Sequence, residues 1–244
     1  MDLLLLLRIL TVIGQAVLLV VLVVLLATWR GAGRGEEVRR PAWVMIAWIH
    51  GIFAVAGLVV ELQHFWLDGD IASAAVRKLT YNIFFLLNSA LEAVLPALIL
   101  AHFLKGTRYR RWSLAGVVLI VATGAAAGLT GAVWDWAHML GVSQILSFQA
   151  IVGYLVFMSA YLLKRLPGVD VYLAVFLGVD AAFVLVLPIQ QVFFQAVGPS
   201  GVWEIWHPHQ LLQLMATGIQ VAVVLSCINS MRYRRVSPLL RVLE

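Results

Sequence analysis

The sequence predicts an all-α integral membrane protein: a bundle of seven transmembrane helices, N-terminus outside and C-terminus cytoplasmic. Three observations carry that expectation. Of 244 residues, 63% are hydrophobic and 12% charged, with a mean hydropathy of +0.97, whereas ordinary soluble domains are about 25% charged. Seven stretches are apolar over the roughly 17–25 residues that a helix needs to cross a bilayer. The basic residues, finally, cluster on one side of those stretches.

The first stretch, Leu3–Thr28, is too long for the apolar core of a secretory signal. Trp29-Arg30 follows it without a small-residue cleavage site, so it is expected to be a retained helix. Ala42–Phe65, Leu79–Phe103, Trp112–Val133, Ser143–Leu163, Val169–Ala196 and Trp206–Met231 come next. Polar, charged or Gly/Pro-containing segments separate them: Arg30–Arg40, Leu67–Lys78, Lys105–Arg111, Trp134–Val142, Lys164–Gly168 and Val197–Ile205. None of the stretches alternates polar with apolar residues, which favours helices over barrel strands. No connection is long enough for a second folded unit, so residues 1–244 read as a single transmembrane domain. Any output domain is expected on another chain.

Orientation follows from the basic residues. Arg30, Arg34, Arg39, Arg40, Lys105, Arg108, Arg110, Arg111, Lys164, Arg165, Arg232, Arg234, Arg235 and Arg241 fall on the C-terminal side. Only Arg8, Arg77 and Lys78 fall on the other, and a bias of fourteen to three makes the C-terminal side cytoplasmic. The net charge of +5 is then accounted for by topology and anionic lipid headgroups, and nucleic-acid binding has no support. A bacterial-type plasma membrane is the expected location. Trp29, Trp43 and Trp112 at the inner ends, with Trp66, Trp134, Trp136, Trp203 and Trp206 at the outer ends, read as an anchoring belt. The small-residue spacing from Gly124 to Gly128 suits close helix packing, within the bundle or in a homo-oligomer.

Polar groups are costly in hydrocarbon, so their positions carry the functional information. Glu61, Gln63 and His64 end the second stretch, and Asn82, Asn88, Ser89 and Glu92 share a third of the circumference of the third. Asp180, Gln191 and Gln195 form a narrow stripe on the sixth. On the seventh, His207, Gln210, Gln213, Thr217 and Gln220 share one face, with His209 at its margin. Nearly all of these belong to the outer half of the membrane; the inner half holds chiefly His50 and His102. The pattern predicts an outward-facing polar cavity lined by Glu61, Asn82, Asn88, Glu92, Asp180, Gln191, Gln213 and Gln220. At about 1.5 Å per residue, Glu92, Asp180 and Gln220 come to one depth and would form its floor. The amides read equally well as hydrogen bonds that hold helices together.

A second constellation lies on the outer rim. His64, His207 and His209, near Asp68, Asp70, Asp135 and Glu204, are of the ligand types that zinc or another transition metal takes. His64 and His209 stand where the seven-span zinc hydrolases of the alkaline ceramidase type carry histidines. Asn82 and Gln213, however, stand in place of that family's aspartate and second histidine, so half the ligand set is missing. His50 and His64 have a spacing that can serve two b-type haems, with His102 as an inner partner. A retinal Schiff base is excluded, because Lys78, Lys105 and Lys164 all lie outside the last stretch. Cys227 is the only cysteine, which removes disulfides, Fe–S clusters and thiolate zinc sites.

Four functions remain open on these residues. The first expectation is a receptor-like protein, or a subunit of a larger membrane complex, binding a small molecule, a lipid or a protein partner in the outward cavity. The alternative is a metal-dependent hydrolase acting on a lipid-like substrate. A proton-coupled transporter working through Glu92 and Asp180, and a haem protein, complete the set.

Overall fold

The computed structural model describes residues 3–29, 40–66, 98–115, 118, 122, 170–180, 182–183 and 202–233, with backbone alone at 4, 56–57, 59–66, 202–209 and 233. All regular structure among them is helical. Helix α1 is Leu3–Thr28, α2 is Arg40–Trp66 and α6 is Val202–Tyr233. Between them lie α3 (98–103), α4 (109–115) and α5 (Val171–Asp180). Two segments, Leu5–Thr28 and Gln210–Arg232, are long and apolar enough to cross a membrane.

The chain α1 folds as a helix because nothing interrupts it. It has no proline, and its hydroxyls are satisfied at home: Thr11 Oγ1 donates to the Leu7 carbonyl (2.9 Å) and Thr28 Oγ1 to that of Val24 (2.8 Å). Its buried residues Thr11, Leu18, Leu22, Leu25 and Trp29 follow the three-and-four spacing of one helix face. Ile13, Val17, Val20, Val23 and Val24 are just as apolar yet exposed. A helix apolar on every side, with only 22% of its most apolar window buried, is of the length and composition that can cross a membrane.

Contacts between the helices fix their directions. Trp29 meets Trp43 (ring centroids 6.4 Å apart), while Leu19 approaches Gly51, so α2 runs antiparallel to α1. Phe176 sits edge-on to Trp43 at 5.6 Å and to His50 at 5.3 Å, and Asp180 also faces His50, so α5 runs with α2. On α6, Leu214 and Thr217 pack over Gly14, and Gln220 reaches Asp180, placing it level with Leu19; α6 therefore runs with α1. A Cβ on Gly14 would lie 3.4 Å from Thr217 Cγ2, an ordinary contact, so a methyl fits between these helices and a larger side chain does not.

The core occupies one end of this bundle. It joins Leu18, Leu22, Leu25 and Trp29 of α1 to Trp43, Ile46, Ile49 and Phe53 of α2 and Ile99 of α3. Leu173, Phe176 and Leu177 of α5 and Val224, Cys227 and Ile228 of α6 complete it. Helix α5 starts where its sequence provides a cap: the Leu173 amide donates to Asp170 Oδ1 (2.6 Å), satisfying one of the first-turn donors.

Three features differ from the sequence expectation. Trp29 and Trp43 are buried against each other and Phe176 instead of forming part of an interfacial belt, because the face that completes the α1–α2 stripe is the face they occupy. Trp112, by contrast, is 77% exposed, and Trp48, in the middle of α2, is 71% exposed. Within Lys105–Arg111, only the residues up to 108 form a turn, closed by Gly106 at φ +90°, and helix α4 already begins at 109. Arginine is a good helix former, so positive charge marks where the chain leaves an apolar layer, not where its helix ends. Likewise α6 starts at Val202, directly after the Gly-Pro-Ser-Gly run, four residues before Trp206.

Candidate functional site

Where the apolar core stops, three polar side chains from three helices meet. Asp180 stands on α5, His50 near the middle of α2 and Gln220 on the buried stripe of α6. The Gln220 side-chain amide donates a short hydrogen bond to Asp180 Oδ1. The other carboxylate oxygen, Oδ2, lies 3.6 Å from His50 Nε2, close enough for charge interaction but beyond hydrogen-bond distance. The two side chains are only 13% and 16% exposed. Phe53 and Phe176 present their rings at nearly right angles to the imidazole, at 5.7 and 5.3 Å, which fixes its plane.

The stripe that delivers Gln220 changes character along α6. Gln210, Gln213, Thr217, Gln220, Val224 and Cys227 succeed one another at three- and four-residue steps, so they share a face. Polar residues fill it as far as Gln220, and apolar ones fill it afterwards. Thr217 Oγ1 is satisfied by the Gln213 carbonyl of its own helix (2.8 Å), which leaves Gln220 as the side chain that reaches across to another helix. Gln210, Thr217 and Gln220 are buried; at these positions the stripe is enclosed by protein. Buried polar atoms that make no hydrogen bond among the described residues include His50 Nε2 at this layer and Gln210 Oε1 above it.

Of the residues the sequence singles out for the cavity, Asp180 and Gln220 are in direct contact, and Gln213 lies two turns from Gln220 on the same face. Asn82, Asn88, Glu92 and Gln191 lie outside the described residues. Glu61, His64, His207 and His209 lie on α2 and α6 where only the backbone is described. The metal expectation therefore falls outside the described side chains; among those described, no three His, Cys, Asp or Glu groups converge. Of the histidines named for haem, His50 is described with its side chain: its Nε2 faces Asp180 Oδ2, and the rings of Phe53 and Phe176 lie 5.7 and 5.3 Å from the imidazole.

Sequence reasoning places His50 in the inner half and pairs it with other histidines. Its real partner is Asp180, forming a pair that helix spacing alone cannot reveal because the two are 130 residues apart. The usable signal is that both are ionisable groups within otherwise apolar stretches. No family model, curated protein or solved structure matches this chain.

Proposed function

We propose that this chain is a seven-helix membrane protein, N-terminus outside and C-terminus cytoplasmic, that binds a small ligand or a membrane partner through its polar interior. The observation that carries the binding function is that two buried polar atoms, His50 Nε2 at the Asp180–Gln220 layer and Gln210 Oε1 ten residues nearer the α6 N-terminus, make no hydrogen bond among the described residues. A buried polar atom without a partner costs roughly 1–3 kcal/mol, and a bound ligand group would recover that cost. The directions of the helices support the span count: the first and last stretches run together, and the second and sixth run together against them, as odd and even crossings must. The exposed turn with Lys105 and Arg108 and the first residues of α4, Tyr109, Arg110, Arg111 and Trp112, all exposed, support an inner, headgroup-facing side. There Arg108 stacks over the Tyr109 ring at 5.1 Å.

Cysteine scanning tests the reading in a Cys227→Ser background. A water-soluble thiol reagent added outside is expected to label cysteines at Gln213 and Asn88 and to spare one at Met215, which faces away from the bundle. Equal labelling at all three positions would remove the polar interior from the proposal. A cytoplasm-dependent reporter fused after Glu244 is expected to be active, and one inserted near Asp70 inactive; activity at both would overturn the topology.

A further inference from the structure

We propose that His50 and Asp180 form a proton-binding site inside the bundle, taking up one proton per chain from the side where α6 is polar. The inference rests on the membrane-spanning reading above and names the smallest ligand that the layer can hold. Asp180 Oδ1 is occupied by the Gln220 amide, so Oδ2 is the oxygen left to share a proton, and it faces His50 Nε2. Nε2 is buried and makes no hydrogen bond among the described residues. The aromatic edges of Phe53 and Phe176 hold the imidazole in place.

Charge balance explains why this pair suits a proton. With His50 neutral and Asp180 ionised, the described side chains of this layer carry one net negative charge, and a buried charge is favoured by an opposite charge beside it. A proton entering from water forms an N–H bond at His50 Nε2 or an O–H bond at Asp180 Oδ2. Either arrangement makes the pair neutral overall, and the proton returns to water as it came; no electron moves. Among the described side chains, the other charges on α1, α2, α5 and α6 are remote. Arg40 on α2 and Asp170 before α5 are each ten residues away along their helices, Arg232 on α6 twelve from Gln220, and Arg8 on α1 eleven from Leu19. At about 1.5 Å per residue these separations are about 15 Å or more. Glu92, which the sequence sets at the same depth, lies outside the described residues.

Access is one-sided by composition. Toward the C-terminus of α6 the pair is closed by Trp43, Phe176, Leu177 and Val224, all fully buried and apolar. Toward its N-terminus the same face carries Thr217, Gln213 and Gln210, polar groups that can hydrogen-bond water, which would carry the proton.

The test is a pH titration of the full chain in lipid nanodiscs, following the His50 ring by nitrogen NMR. Assignment comes from the one signal lost in His50→Gln. The ring is expected to titrate in the wild type, and its proton affinity to change at least tenfold in Asp180→Asn. Gln220→Leu, which keeps both ionisable groups, is expected to shift the same midpoint and guards against misfolding of the aspartate variant. A His50 ring that does not titrate, or that titrates identically in all three proteins, would overturn the proposal. In vesicles of uniform orientation, a pH step on the side of the α6 N-terminus should protonate the ring before a step on the other side does; equal rates would overturn one-sided access. Release of the chain from membranes by alkaline carbonate would defeat the membrane reading instead, while the titration of the pair could still be followed in detergent.

Discussion

Helices α1 and α6 pack along each other in the same direction, and both are long enough to span a membrane, yet they solve different problems. Along the buried face of α1, a small and weakly polar end (Thr11, Gly14) gives way to large aliphatic and aromatic residues (Leu18, Leu22, Leu25, Trp29). The facing stripe of α6 passes from Gln210, Gln213, Thr217 and Gln220 to Val224 and Cys227. The two gradients match: small groups lie opposite polar ones, and bulk lies opposite bulk. The outer faces are alike, with Ile13, Val17, Val20 and Val23 exposed on α1 and Leu211, Met215, Ile219 and Leu225 exposed on α6. What differs is the buried stripe: on α1 it carries Thr11 as its one buried polar side chain among the described residues, while α6 brings Gln210, Thr217 and Gln220 into the interior. A helix can carry a polar stripe through a membrane only where its neighbour offers room and a partner.

That contrast can be broken at several points. Leu22→Ala empties a fully buried position on the bulky half and is expected to lower stability by about 2–5 kcal/mol, measured by thermal unfolding in detergent. Val20→Arg puts a charge on the outer face of α1 near its centre, where Val20 is 61% exposed. It is expected to disfavour insertion by about 2.5–3.5 kcal/mol in a glycosylation-based insertion assay. Normal insertion of that variant would mean that the outer face of α1 does not meet lipid.

Smaller effects sharpen the comparison. Gly14→Leu should wedge α1 from α6 against Thr217 and Leu214, costing about 1–3 kcal/mol of stability, whereas Gly14→Ala should be nearly neutral, its Cβ lying at 3.4 Å. Similar melting temperatures for the alanine and leucine variants would show that the approach is looser than drawn here. Gln220→Leu deletes the bond to Asp180 and is expected to cost about 0.6–1.7 kcal/mol, the range of interhelical hydrogen bonds in membranes. Val20→Leu, on the face without protein contacts, should change the unfolding midpoint by less than about 0.5 kcal/mol.

Much of the helical framework is legible from hydropathy, because an uninterrupted apolar run has to satisfy its own backbone donors and acceptors. The run Leu3–Thr28 is the observed α1, and the third stretch ends in a helix closing at Phe103, as expected. Helix ends set by charge are read less well: Arg110 and Arg111 belong to α4, since an arginine can lie in a helix while its guanidinium reaches water. Tryptophan is ambiguous for the same kind of reason. Its large apolar ring and single donor suit an interface, but the same ring fills a core, as Trp43 does between Trp29 and Phe176.

The candidate site divides in the same way. That Asp180 and Gln220 sit at one depth follows from counting residues along apolar runs of known rise, a local quantity that the chain carries in its order. That Asp180 also faces His50 depends on how α2 and α5 rotate about their axes when Trp43 and Phe176 interlock. By itself, therefore, the sequence determined an apolar, helical chain and the depth of its polar groups. Which of those groups touch was decided by the tertiary structure, because rotation about a helix axis is set by side chains packing across the gap, and no periodicity within one helix encodes its neighbour's angle.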